Sequence, residues 1–437
     1  MGEPGLRSAH IWPHLVGLDT EMKRKIAGAA SAILVIAFQL QLLTFFSPLF
    51  VQNKTIWPVF YYTFWIFIIG STVFTFSKDR PWPVMLLCGA LISMTACYPV
   101  DMVAKNFIVA MVFVLCASSL ATAAGSLKIL QLCAAATALS SCICLADILL
   151  VHDLTHGADR AVGLGLNPNL AAIGLLLGAT ATYRAIPVHL TPYFVVLVGF
   201  AIFATLSKSV LLAFTVIFGT VSFVHIFRRR PIARLAGPAV LACALVAYLG
   251  VAWSLNYGFA LATWHAFRGI YTASSALERA QTSFAAAGRR DQPLPSAGQI
   301  GEFHSGNRIA IEEIGQRAEN ESHVNSIAAR VLFMERSWLA YRDGPPFGRG
   351  LDGAHAFAPH NSFLLFALAF GPIGWIVPLA FIALIWRNAA LALAVFAACM
   401  VSHDIFLMLP LLAPIAFGLA RCNPRNETPC GPDDAIR

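Results

Sequence analysis

The residues best suited to chemistry lie between Arg330 and Gly374. Arg330 carries a planar guanidinium that can grip phosphate oxygens in a bidentate way. It sits in a helix-like run whose apolar members are Leu332, Phe333, Trp338 and Leu339. Arg336 and Arg342 are close enough along the chain to share or take over that work. His360 and Asn361 follow Pro359 at the entrance to a long apolar run. A helix start exposes unpaired N–H groups and a positive dipole end, which suits phosphate. A neutral histidine there can also take a proton from a hydroxyl group. Blander readings stand beside these: Asn361 or Ser362 caps the helix, His360 rests at an interface, and Arg330 meets lipid headgroups.

Three further features are polar islands in apolar surroundings. Lys208, within Thr205-Leu206-Ser207-Lys208-Ser209, is stranded between two apolar runs. A cation in that position is functional, paired, or snorkels to the membrane surface. Asp147, near the end of its own apolar run, is a candidate counter-ion for it. The turn Gly163-Leu164-Gly165-Leu166-Asn167-Pro168-Asn169 precedes another apolar run. Its glycines permit close backbone approach, and Asn167 and Asn169 can cap a helix or bind sugar hydroxyls. Gly348, Gly350 and Gly353 read as a tight turn ahead of His360.

These residues need a scaffold, and composition indicates its class. The 437 residues are 58% hydrophobic and 12% charged, with a mean hydropathy of +0.71. Soluble domains are about 25% charged, so the chain reads as an integral membrane protein. Continuous apolar runs near the length of a bilayer predict helices in preference to a barrel. About twelve spans are expected by hydropathy, near 26–48, 56–76, 82–100, 106–125, 129–151, 169–186, 192–207, 209–227, 237–255, 361–385, 388–403 and 405–420. The result is an all-α polytopic bundle: a cytoplasmic segment 1–25, spans one to nine over 26–255, a long outer loop 256–359, spans ten to twelve over 360–420, and a tail 421–437.

Charge placement supports that topology. With the N-terminus inside, the inner segments hold 16 basic residues, among them Lys23, Arg24, Lys25 and Arg228 to Arg230. The short outer loops hold four: Lys54, Lys105, Arg160 and Lys208. Cytoplasmic loops carry the Lys/Arg excess, so both termini are expected in the cytoplasm. The first 25 residues are polar and end in a basic cluster, which reads as a cytoplasmic start without a cleavable signal. The net charge of +8 is thereby explained by topology and not by nucleic acid. Of ten cysteines, Cys88, Cys97, Cys116, Cys133, Cys142, Cys144, Cys243 and Cys399 lie in apolar runs and are expected as small core residues. Cys422 and Cys430 lie in the tail.

The loop 256–359 contains helix-like stretches at 260–287, 309–317 and 325–341, with a Gly/Pro/Gln-rich piece at 288–301. A loop this long signals function or disorder. Its apolar faces suit the membrane surface above a cavity. No phosphate-binding glycine loop, dinucleotide fingerprint or Cys/His metal spacing is present, so no cofactor or metal is expected. Asn320-Glu321-Ser322 matches a glycosylation sequon, a pattern that arises readily by chance.

In combination the pieces resemble the O-antigen ligase and O-antigen polymerase superfamily of bacterial membrane glycosyltransferases. The matching motifs are Asn167-Pro168-Asn169, Ser207-Lys208, the Arg330 helix, Pro345-Pro346-Phe347-Gly348-Arg349-Gly350, His360-Asn361 and Gly371–Gly374. They span about 160–385 in the family's order. One departure is that the family's arginine after the serine is Lys208 here, which keeps charge and loses the bidentate fork.

The resemblance implies a type C-like membrane glycosyltransferase fold in the bacterial inner membrane, with its active site facing the periplasm. It implies inverting, metal-independent transfer of a glycan from undecaprenyl diphosphate to a sugar hydroxyl. The acceptor would be lipid A-core for a ligase, or another growing polysaccharide for a polymerase. His360 and Arg330 would be catalytic. Lys208, Asn361, Asn167, Asn169 and Arg336 would bind substrate. A lipid-linked oligosaccharide flippase is the competing class, but no internal repeat is visible and the polar residues cluster toward one surface. A sensor would need a larger cytoplasmic segment than the sequence offers.

Overall fold

The computed structural model describes residues 20–42, 56–75, 82–149, 160–165, 167–227, 236–256, 259–261, 263–264, 312, 316 and 326–421. Every regular element among them is helical. They are α1 (Thr20–Leu34, continued by a π turn Val35–Gln39), α2 (Ile56–Phe74), α3 (Trp82–Ala96), α4 (Met102–Ala124), α5 (Ser126–Leu149), α6 (Pro168–Thr182), α7 (Thr191–Ala204), α8 (Lys208–Phe227) and α9 (Ala236–Leu255). After the central loop come α10 (Ser326–Arg342), α11 (Gly350–His355), α12 (Ser362–Phe370), α13 (Ile376–Ile385), α14 (Ala389–Val401) and α15 (Leu409–Arg421).

The chain is a membrane protein by its apolar helices. Met102–Ala124, Ser126–Leu149, Gly237–Leu255 and Ser362–Ile385 are each long and apolar enough to cross a membrane. Six shorter apolar helices accompany them among the described residues. Apolar side chains such as Val59, Ile66, Leu86, Leu212 and Val240 face outward, as expected of a surface solvated by lipid.

Asparagines begin several helices. Asn167 Oδ1 accepts from Asn169 N at the start of α6, with Pro168 in the first helical position. Asn361 Oδ1 accepts from Leu364 N at 3.1 Å to start α12. Asn388 Oδ1 accepts from Leu391 N to start α14, while its amide donates to Thr180 O at the end of α6.

The core lies where α4, α5, α6 and α15 pack together, with α1 against the outside of α4. An aromatic chain runs through it: Phe107 on α4 meets Phe366 on α12 at 5.5 Å, Phe366 meets Phe406 at 5.5 Å, and Phe406 meets Phe381 on α13 at 4.8 Å. Rings in tilted and edge-on contact fill an apolar interior and hold neighbouring helices in register.

Several helix boundaries differ from the hydropathy reading. The run 361–385 is interrupted by a 3₁₀ turn at Gly371–Trp375. The last run starts at Leu409 because 402–408 forms a non-helical link. The helix expected at 325–341 is α10. The helix-like stretches 260–287 and 309–317 lie mostly, and the segment 288–301 and the sequon wholly, outside the described residues. Of the cysteines, Cys88, Cys116, Cys133, Cys144 and Cys399 are buried, while Cys97, Cys142 and Cys243 are exposed rather than in the core. A thiol is small enough to serve either a packed interior or an apolar outer face.

Candidate functional site

One end of the bundle gathers the polar residues. The C-terminal end of α5, the segment 160–165, the start of α6, the α7–α8 junction, α10, the 355–362 segment and the α14–α15 link meet there. The contacts that join them are specific. Asp147 Oδ2 accepts from Val162 N and Gly163 N at 2.9 and 3.0 Å. Ala161 N donates to Ala204 O at 3.1 Å. Ser362 Oγ donates to Ser402 O at 2.6 Å. Asp147, the sequence candidate for a Lys208 counter-ion, therefore spends Oδ2 on shaping the loop beside that lysine.

Arg160 becomes the central member of a cation group. Its Nε donates to Thr205 O at 2.7 Å and one terminal nitrogen donates to Asn169 Oδ1 at 3.2 Å. These two bonds fix the guanidinium at the α7–α8 junction. Lys208 feels Arg160 as a like-charged neighbour, and Arg160 feels Arg330 in the same way. Burial, reinforced by Arg330, lowers the pKa of Arg160, and burial also lowers that of Arg330. Partly buried like charges are held together only when the surrounding structure fixes them, and they favour an anion between them. Three separate segments thus bring Arg160 into the field of both Lys208 and Arg330.

His360 adjoins this group. Its ring centroid lies 5.2 Å from Phe333, one turn beyond Arg330 on α10. Burial lowers the His360 pKa, Arg330 lowers it further, and Asp404 acts in the opposite direction. The backbone of His360 is left-handed, with φ +49°, and so is that of Leu206, φ +53°, two residues before Lys208. Side chains bearing a Cβ rarely adopt this region, and such residues concentrate where a site over-determines the backbone.

A second cluster stands behind His360. The His360 and His403 rings meet edge to face at 5.3 Å, and the His355 and His403 rings are tilted against each other at 4.9 Å. Asp404 Oδ1 lies 3.3 Å from His403 Nε2 and 3.7 Å from His355 Nε2. Burial pushes His403 down to about 4, against the pull of Asp404. Burial alone would raise the Asp404 pKa, but the neighbouring imidazoles of His355, His403 and His360 bring it below the usual carboxylate range.

The remaining sequence candidates take supporting positions. Asn361 is buried, its oxygen caps α12, and its amide nitrogen faces Met400 Sδ at 3.8 Å. Asn167 caps α6, and Asn169 holds Arg160. Arg336 lies over the Phe357 ring at 5.5 Å, as does Arg349 at 5.4 Å, and Arg336 Nε is buried with no hydrogen-bond partner among the described residues.

The glycine turns fix the register of this end. Arg349 N donates to Leu368 O at 2.9 Å, and Tyr98 Oη donates to Phe347 O. Gly348 and Gly371, at φ +85° and +68°, lie where a Cβ would stand 2.3 Å from Ala369 O and 2.1 Å from Pro346 O. Only glycine allows these two turns to lie backbone against backbone.

Reading the sequence missed four members of this end: Arg160, His355, His403 and Asp404. Arg160 served only as an outer-loop charge and His403-Asp404 only as a break between the last two spans. The available signal was a polar pair between apolar runs in a chain with few charges.

The O-antigen ligase family model matches residues 193–379. That stretch holds Lys208, Arg330, Arg336, His360 and Asn361, and leaves Arg160, Asn167, Asn169, His403 and Asp404 outside it. No curated protein and no solved structure matches the chain.

Proposed function

For a chain of the O-antigen ligase superfamily, as the match over 193–379 supports, we propose transfer of a glycan from undecaprenyl diphosphate to a sugar hydroxyl of lipid A-core. The observation that carries the reading is the group Arg160, Lys208 and Arg330 next to His360. Three cations that share one field suit a diphosphate, and their attraction grows as the glycosyl–oxygen bond breaks and charge builds on the leaving group.

The acceptor oxygen attacks the anomeric carbon from the face opposite the diphosphate, which departs with the bonding electrons and leaves an inverted linkage. His360 orients the acceptor hydroxyl and receives its proton. Arg330 serves this step most directly, because His360 lies in its field and packs on Phe333 of the same helix. Arg160 supplies the planar fork that Lys208 lacks, and Asn169 positions Arg160. Asn361 and Asn167 act through the helix starts they cap, and Arg336 borders the site at Phe357. The bond energy of the diphosphate ester drives transfer, so no nucleotide is needed.

In this reading about twelve helices cross the inner membrane, both termini are cytoplasmic, and 256–359 lies in the periplasm. The helix starts gathered at the site then face the outer leaflet, where the lipid-linked donor is presented.

Cells lacking the protein test the reading. Lipid A-core without O-chain, with polymer accumulating on undecaprenyl diphosphate, is the expected result. Core bearing a single repeat would assign the same residues to a polymerase, whose acceptor is another lipid-linked repeat. Unchanged glycans of every kind would overturn both.

A further inference from the structure

We propose that His355, His403 and Asp404 form a binding site for one divalent transition-metal ion of the zinc class. Their ligand atoms lie within 4.8 Å of one another. Tetrahedral zinc with bonds of about 2.0–2.1 Å sets neighbouring ligand atoms about 3.3 Å apart. The carboxylate stands 3.3 Å from His403 Nε2 and 3.7 Å from His355 Nε2. Two imidazoles on one such ion place their ring centres about 5 Å apart, and these rings lie at 4.9 Å. Closure therefore needs shifts of a few tenths of an ångström at the carboxylate and up to about 1.5 Å between the imidazole nitrogens, which side-chain rotation of the part-exposed His355 can supply.

The donor set also fits. Two imidazole nitrogens and one carboxylate oxygen, with a position left over, suit zinc and its neighbours better than calcium or magnesium. His403 has 10% of its side chain exposed, Asp404 26% and His355 37%, so the cluster opens on the His355 side. Among the described residues, the other nitrogen of His403, Nδ1, is buried and meets no hydrogen-bond partner.

Both segments that bring ligands are fixed from behind. Asp352, on the same short helix as His355, accepts from Val103 N and Ala104 N at 2.8 and 3.2 Å and so ties α11 to the start of α4. Asp404 N donates to Ser402 Oγ, while Ser402 O accepts from Ser362 Oγ. The ion would clip α11 to the α14–α15 link immediately behind His360. It is assigned no bond-making step, and the inference stands on geometry that is independent of the transferase reading.

The test is cobalt and zinc titration of the full chain, untagged, in lipid nanodiscs after treatment with a chelator. One Co²⁺ per chain is expected, with the intense visible bands of four-coordinate cobalt, displaced by Zn²⁺. His355→Ala and Asp404→Asn should each weaken binding by about 100-fold, and His189→Ala should leave it unchanged. His355 is part-exposed, so its variant should fold, as unchanged thermal unfolding without metal will check. Absence of a stoichiometric site in the unsubstituted protein would overturn the proposal. So would cobalt bands that survive His355→Ala and Asp404→Asn.

Discussion

The two polar clusters at the site end are neighbours, yet they solve opposite electrostatic problems. Arg160, Lys208 and Arg330 carry one sign, and each shares the field of a like charge. What holds them is external: Thr205 O and Asn169 Oδ1 fix Arg160, and helices fix the other two. The second cluster has the opposite sign, because ionised Asp404 faces the imidazoles of His355 and His403. The first is therefore poised for an anion supplied from outside, whereas the second offers lone pairs at short range. Proximity alone does not make them one site; the sign of the uncompensated charge separates them.

The sharpest way to test that separation is to remove one charge from the first cluster. Arg330→Ala should slow glycan transfer in proteoliposomes by about 10²- to 10³-fold, the scale of losing one donor to developing charge. Arg330→Lys should recover part of the rate, and cobalt binding should remain. Transfer at the full rate would remove Arg330 from the mechanism.

Next in size is a change that should damage both clusters together. Gly371→Ala puts a Cβ against Pro346 O at a left-handed position and should cost roughly 2–4 kcal/mol of stability. Thermal unfolding in nanodiscs reads this. A variant as stable as the parent would mean that the two turns separate without penalty.

Arg160→Ala should raise the KM for the lipid-linked donor by about 10- to 100-fold, equivalent to one charge-assisted hydrogen-bonding group. Lys208→Arg in that background should restore part of the affinity, because it returns a planar fork to the same corner. Purely additive effects in the double-mutant cycle would show that the two cations do not share a ligand.

The smallest expected effect is salt dependence. Raising ionic strength should weaken donor binding a few-fold by screening the cation cluster, while cobalt affinity moves less. Equal sensitivity would break the distinction between a field that collects an anion and a short-range donor set.

Legibility from sequence followed range. Apolar runs announce helices because spanning segments satisfy their backbone internally, and Asn167-Pro168 and Asn361 announce starts because capping is local. Arg330, Lys208 and His360 stood out as polar residues at the margins of those runs. The surroundings of Lys208 could not be read in this way: Asp147 was the natural opposite charge, and the fold gives its Oδ2 to backbone amides and brings Arg160 into the field of the lysine. His355 and Asp404 are far apart in sequence, and no fixed spacing of ligands marks their meeting.

By itself the sequence determined the helical membrane class, the local helix starts, the glycine turns and the order of motifs that resembles the O-antigen ligase superfamily. These depend on composition and on contacts a few residues apart. Tertiary structure decided which charges share a field, that Asn169 holds an arginine, and that His403-Asp404 stands beside His360. Those outcomes depend on which helix ends pack side by side, a long-range choice made by the buried faces of α4, α5, α6 and α15 and not by the polar residues they bring together.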